Sequence, residues 1–145
     1  ITLSLLLGTV SAVWHNRFVD WCVRLSSFVA ISMPSFWLGL LLLYVFAVQL
    51  QLLPVAYSGT WYGVILPAVT LALPLIGKYT RLIRAEVLTH LYSDYVIGAH
   101  VMGTKKRHQL THYVLPNAIL YIVPLIGLSS AALLGGTVIV ELIFS

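Results

Sequence analysis

The sequence predicts an all-α, polytopic transmembrane helical bundle, and two observations support that fold class. Of the 145 residues, 60% are hydrophobic and 8% are charged, whereas soluble domains usually carry about 25% charged residues. Two long stretches, from Arg24 to Lys78 and from Arg107 to Glu141, contain no Asp, Glu, Lys or Arg between their ends. Charge at the centre of a bilayer costs several kcal/mol, so these stretches can cross lipid.

The first predicted element is a partial span at residues 1–14. This apolar run is shorter than the roughly 20 residues that a spanning helix needs, and it lacks the basic segment of a signal peptide. We interpret it as the end of a longer helix. Residues 1–145 are therefore predicted to be one part of a larger transmembrane domain.

A second span is predicted at residues 25–50. The Met33-Pro34 pair should kink this helix near its start, because proline interrupts the helical hydrogen bonds. The loop that follows, at residues 49–63, is polar and aromatic but uncharged, which suits a membrane interface.

A third span is predicted at residues 64–84. We expect its helix to leave the lipid near Lys78, which would place Arg81 and Arg84 in water. A fourth span is predicted at residues 114–136, and the cytoplasmic coupling loop would occupy residues 85–113 between these two spans.

The positions of the basic residues predict the orientation in the membrane. The segments 15–24 and 78–112 contain every Lys and Arg, and the segment 49–63 contains none. By the positive-inside rule, 15–24 and 78–112 are cytoplasmic, and 49–63 is extracytoplasmic. The number of spans between them has the parity that this orientation requires.

The segment Asp94–His108 predicts two short helices joined at a glycine. Ser93 can cap the first helix, and Asp94 suits its first turn because a carboxylate is stabilised at a helix N-terminus. Gly103 should end this helix, and Thr104 can begin the second one.

The two short helices should present an apolar stripe and a basic rim. The stripe would consist of Tyr95, Val96, Ala99 and Met102. The rim would consist of Lys105, Lys106, Arg107 and His108. Such a knuckle suits docking into a groove of a cytoplasmic partner, and it equally suits an interfacial helix that lies on anionic lipid.

A spaced pattern across this region resembles a family motif. The pattern A-x3-G-x9-Y-x-L-P is formed by Ala99, Gly103, Tyr113, Leu115 and Pro116. It resembles the EAA motif of bacterial ABC importer permeases, E-A-A-x3-G-x9-I-x-L-P. Three motif positions differ, since the chain has Ile97 for the Glu, Gly98 for the first Ala and Tyr113 for the Ile.

A second pattern resembles the dipeptide, oligopeptide and nickel branch of these permeases. That branch has RxxRAxxLxxxxxxYVxxAxxxG, and the chain matches it with Arg81, Arg84, Ala85, Leu88, Tyr95, Val96, Ala99 and Gly103. Further segments of the chain resemble the branch in the same order: SMPSFWLGLLL, LLPVAYSG, ILPAVTLALP, HYVLPNAILYIVP and LLGGTVIVELIFS.

The resemblance implies a non-catalytic permease subunit of an ATP-driven importer in the bacterial inner membrane. Its coupling loop would sit in a cleft of the ATPase, with Tyr95, Ala99 and Gly103 as core positions of the knuckle. Rim contacts would come from Asp94, Lys105, Lys106 and Arg107. The implied partners are two ATPase subunits, a second permease subunit, an extracytoplasmic substrate-binding protein and membrane lipid.

The substrate that the resemblance implies is nickel or a nickel–metallophore complex, with dipeptides or oligopeptides as the alternative. Two other classes remain open, a secondary transporter and a non-transporting membrane anchor. A secondary transporter would predict intramembrane charges, and none lies between residues 25 and 77. An anchor would need no knuckle.

Small residues and one acid mark the last span. Gly127, Ala131 and Gly135 repeat every four residues, a spacing that lets helices approach closely in lipid. They can form the interface with a second permease, line the pathway or pack inside this subunit. Glu141 lies in an apolar setting, where an acid is a candidate functional group, or it fixes a re-entrant turn.

No cofactor, metal site or catalytic constellation is predicted. His108 and His112 are four residues apart and can share a helix face, but they lie in a basic segment without a third ligand nearby in sequence. Cys22 is alone, which excludes an internal disulfide. The basic residues form no broad face, so nucleic acid is not a predicted partner.

Overall fold

A computed structural model describes residues 1–55 and 61–144, and their side chains except those at positions 131, 132, 134–137, 139 and 141. Every regular element in the described ranges is a helix, which confirms the all-α fold class. The α-helices are, in order, α1 Thr2–Val13, α2 Phe18–Ser32, α3 Ser35–Leu42, α4 Tyr62–Leu91, α5 Asp94–Val101, α6 Lys106–Gln109 and α7 Leu115–Phe144. Two π-helical segments, Leu43–Gln49 and Leu110–Val114, extend α3 and join α6 to α7.

The segment predicted as one span at residues 25–50 is a broken pair of helices. The helices Phe18–Ser32 and Ser35–Gln49 meet at 101°. The break falls at the predicted Met33-Pro34 pair, because the residue before a proline is forced out of the helical region, and Met33 is extended with ψ 127°. The chain therefore bends at the predicted position, but much more sharply than a kink within one helix, and the predicted single span at 25–50 stays a prediction.

Two described helices, Tyr62–Leu91 and Lys106–Ser130, are long and apolar enough to cross a membrane, and the broken pair would make a third span. These helices contain the predicted spans at 64–84 and most of 114–136. The backbone of α7 remains helical as far as Phe144, so the described residues up to that point contain no re-entrant turn at Glu141.

Helix α4 is the central element, because it contacts α1, α2, α3 and α7. At two of these contacts, a glycine allows the two helices to approach closely. A Cβ atom at Gly8 of α1 would lie 2.8 Å from Cβ of Ile83, and one at Gly77 of α4 would lie 2.8 Å from the carbonyl oxygen of Ser27. Helices pack this closely in lipid where one of them has no side chain at the crossing.

Two apolar clusters fill the interior. The first joins α1, α4, α5 and α7 through Ala12, Tyr79, Ile83, Val87, Val96, Val114, Ala118 and Ile122. The second joins α3, its extension, α4 and α7 through Leu38, Leu42, Ala47, Leu66, Val140 and Phe144. Since Val96 belongs to α5, the first cluster fastens the short helices to the spanning ones.

Candidate functional site

The hairpin (residues 92–109) joins the C-terminal end of α4 to the helix that becomes α7. Ser93 occupies the predicted N-cap position of α5 with an extended backbone. Its hydroxyl does not cap α5, however, but donates to the carbonyl oxygen of His90 at 2.6 Å. Its own carbonyl accepts the backbone N–H groups of Val96 and Ile97, and Asp94 lies in the first turn as predicted.

Gly103 ends α5, which confirms its predicted position. Its φ is +82°, a value that costs an L residue roughly 1–2 kcal/mol. The N–H of Gly103 donates to His100 O at 3.0 Å, and the N–H of Thr104 donates to Ala99 O at 3.1 Å. This pair of bonds is the Schellman motif, which satisfies the last free carbonyls of a helix. The turn is therefore fixed by its own hydrogen bonds.

Gln109 locks the second half of the hairpin to the turn. Its side chain is buried, and its amide nitrogen donates to Thr104 O at 2.8 Å and to Thr104 Oγ1 at 3.1 Å. The same nitrogen lies 3.3 Å from His100 Nδ1. The sequence analysis missed Gln109, because it follows four basic residues and no pattern marks it as buried. The predicted second helix also begins later than Thr104, at Lys106.

Only part of the predicted apolar stripe is buried along α5. Val96 and Ala99 are buried, as expected. Met102 is 78% exposed and Tyr95 is 42% exposed, with the Tyr95 hydroxyl 2.7 Å from His90 Nδ1. Tyr95 thus lies at the edge of the buried face, because it is about 100° around the helix from Val96. Its predicted role in the core of the knuckle stays a prediction.

The hairpin instead presents an apolar tip to its surroundings. The tip consists of Ile97, Val101 and Met102, which are 51%, 81% and 78% exposed. Exposed apolar patches surrounded by polar residues commonly mark protein–protein contacts. The residues of the predicted rim, Asp94, Lys105, Lys106, Arg107 and His108, are all exposed as well.

A buried ion pair joins α2 to α4. Asp20, 1% exposed, accepts hydrogen bonds from Arg84 Nε at 2.7 Å and Arg84 Nη2 at 2.8 Å. The Ser11 hydroxyl at 2.6 Å and the Asn16 N–H at 3.0 Å complete the carboxylate's partners. His15 Nδ1 lies 3.0 Å from Arg84 Nη2. The network therefore joins α1, the α1–α2 turn, α2 and α4.

This network corrects two expectations. Arg84 was expected in water, yet its side chain is 17% exposed. Asp20 was expected in a loop at 15–24, yet α2 begins at Phe18. The ion pair joins residues 64 positions apart, so counting charges within one segment could not reveal it. The sequence did contain a signal, since Asp20 is the only acid before Glu86 and Arg84 is an arginine of the family pattern.

The structure describes part of the predicted small-residue stripe. A Cβ atom at Gly127 would meet nothing within 4 Å, so Gly127 makes no close packing contact with the residues that the structure describes. The side chains at Ala131, Gly135 and Glu141 lie outside the described residues. Their predicted roles in helix packing or the pathway stay predictions.

The histidines form pairs with neighbours. The rings of His108 and His112 stack with centroids 4.0 Å apart, as their spacing predicted. Among the described residues, no group of three His, Cys, Asp or Glu side chains is close enough to hold a metal ion. The two rings thus have no third ligand within that part of the chain.

The sequence that forms these helices and the hairpin also matches a known family. Residues 4–145 match the family model described as binding-protein-dependent transport system inner membrane component. The chain belongs to this family. This confirms the family resemblance drawn from the motifs.

Among curated relatives, the chain is similar to glutathione transport system permease proteins named GsiC. It is 33% identical to that of Pectobacterium atrosepticum over 145 residues, which is all of this chain and 47% of the relative. It is 37% identical to that of Escherichia coli strain K12 over 141 residues, which is 95% of this chain and 45% of the relative. The chain thus spans about half the length of the curated relatives that it matches.

Removing one member of the ion pair should destabilise the fold. We expect Arg84→Gln to lower the free energy of unfolding by about 3–5 kcal/mol, because Asp20 would remain buried without its counter-charge. The double variant Asp20→Asn with Arg84→Gln should recover part of the loss. Thermal unfolding of the purified full-length permease measures this, with the exposed Arg17→Gln as the matched control. Equal stability of Arg84→Gln and Arg17→Gln would contradict the role of the pair.

Proposed function

We propose that the chain belongs to a permease subunit that forms part of the membrane pathway of an ATP-driven importer. The complex would contain two ATPase subunits, a second permease and an extracytoplasmic substrate-binding protein. The observation that carries the proposal is the hairpin, a rigid turn with an exposed apolar tip and a basic rim. A groove on an ATPase with an apolar floor and acidic edges would complement it.

The internal contacts of the hairpin would allow it to transmit force. The Schellman motif at Gly103 and the amide bonds of Gln109 hold its two short helices at a fixed angle. Val96 and Ala99 lie on its buried inner face, and Val96 belongs to the apolar cluster to which α1, α4 and α7 also contribute. A displacement of the tip by the ATPase would therefore move α4 and α7 as rigid bodies, the kind of motion that switches a transporter between two states.

The proposed orientation places the hairpin in the cytoplasm. The segments 15–24 and 78–112 would face the cytoplasm, and 49–63 would face outward, because the basic residues gather in the first two. This sidedness is needed for contact with an ATPase. Labelling of single cysteines at the hairpin in intact and permeabilised cells would test it.

The hairpin tip provides the sharpest test of ATPase docking. We expect Met102→Asp to leave the permease folded, since the side chain is exposed, and to lower copurification of the ATPase with the full-length permease by about tenfold or more. Met102→Leu is the matched control and should copurify normally. Unchanged copurification of Met102→Asp would contradict docking through the tip.

The turn provides a test of coupling. We expect Gly103→Val to disturb the hairpin, because a β-branched residue is strained at φ +82°. Membrane insertion should be retained, while the ATP hydrolysed per substrate imported in proteoliposomes should rise severalfold. The control is Gly98→Ala, because an added Cβ there meets nothing within 4 Å. A normal ratio for Gly103→Val would exclude a coupling role.

For the substrate, we propose a small peptide of the glutathione kind. The relatives' names support this alternative, and no comparison supports nickel or a nickel–metallophore complex, which the motifs first implied. In cells that lack the full-length gene, we expect uptake of glutathione or dipeptides to fall and nickel uptake to stay unchanged. Loss of nickel uptake alone would restore the metal assignment.

A further inference from the structure

A groove of about 880 Å³ runs between α2 and α4, away from the outer face of the hairpin. Besides Arg84, three cationic side chains line it: Arg24 from α2, and Lys78 and Arg81 from α4. Among the described residues, no carboxylate belongs to the lining. Arg84 also reaches the groove, but its charge is already matched by Asp20.

The three cations lack counter-charges within the described part of the chain. Arg24 and Arg81 make no ion pair or side-chain hydrogen bond there, and Lys78 has one long contact, at 3.5 Å, from Nζ to the Ser129 hydroxyl. Three unmatched cations around one groove attract an anion.

An apolar strip continues from the cations. Leu25, Phe28 and Ile31 follow at intervals of three residues, which places them along one face of α2, and all three are exposed. Trp21 lines the groove at the other side of Arg24. A small soluble anion would cover the cations and make no contact with this strip, whereas an anionic amphiphile would contact both.

The helix crossings fix the order of these groups along the groove. The helices α2 and α4 run antiparallel, because Asp20 pairs with Arg84 and Ser27 meets Gly77. Arg24 and Arg81 therefore lie at one level, between these two contacts. Phe28 and Ile31 lie further along α2, toward the break at Pro34. The groove thus has a cationic part followed by an apolar part.

We propose that this groove binds one anionic phospholipid. The phosphate of the headgroup would contact Arg24, Arg81 and Lys78, and an acyl chain would cover Leu25, Phe28 and Ile31. Basic pockets between membrane helices hold anionic headgroups in this way. The proposal rests on the chain being a membrane component, and it is independent of ATPase docking by the hairpin.

The test uses the full-length permease in its complex with the ATPase, exchanged into equal amounts of phosphatidylglycerol and phosphatidylethanolamine. Native mass spectrometry measures which lipid stays bound. Wild type should retain phosphatidylglycerol. Arg24→Gln and Arg81→Gln should each lower its retention by about fivefold, the effect of about 1 kcal/mol per cation. Arg17→Gln, which removes the same charge outside the groove, should change nothing.

Two further variants test the two parts of the groove. Arg24→Lys keeps the charge and should retain the lipid, while Phe28→Ser should lower retention although every cation remains. Equal retention by wild type and both glutamine variants would overturn the proposal. Displacement of the lipid by millimolar inorganic phosphate would identify a site for free anions instead. A raised KM for the transported substrate with unchanged lipid retention would assign the groove to the transport pathway.

Discussion

The ion pair between Asp20 and Arg84 is the contact on which the position of the hairpin depends. Arg84 lies on α4 seven residues before the end of that helix at Leu91, which is about two turns. A buried charge that loses its partner is strongly unfavourable, so the α1–α2 corner and the end of α4 must keep their relation. Ser11 and Asn16 complete the carboxylate's hydrogen bonds, which satisfies the condition under which a buried pair is tolerated.

Because this end of α4 is fixed, the hairpin could transmit a displacement to the helix. A stiff hairpin on a freely moving helix would transmit nothing, and a fixed helix with a loose turn would absorb the displacement. Here backbone hydrogen bonds at Gly103 and the side chain of Gln109 hold the turn. Close contacts at Gly8 and Gly77 hold α4 against α1 and α2. The two sets of contacts together make α4 and the hairpin one lever.

The sequence predicted the features that follow from local chemistry. Uncharged stretches predicted the spanning helices, and the glycine at 103 predicted the end of α5 because few other residues adopt its backbone conformation. The features that depend on distant contacts were missed. Asp20 pairs with Arg84, which lies far away in the sequence. Gln109 is buried against the turn although its neighbours in the sequence are basic. The exposure of Tyr95 and Met102 was missed because in an eight-residue helix the inward face depends on what lies beneath it.

The distribution of charge on α4 links the groove to the hairpin. Lys78, Arg81 and Arg84 follow at intervals of three residues, so they turn gradually around the helix. The last of them reaches a carboxylate of the chain, and the first two face a groove without one. A phosphate at this level would neutralise them and bridge α4 to Arg24 of α2. Under the two proposals, lipid and ATPase would act on the same helix from different sides, because the lipid would stabilise the α2–α4 contact and the hairpin would displace the end of α4. An anionic bilayer would accordingly change how much of the ATPase motion reaches the pathway, without any contact between the lipid and the hairpin tip.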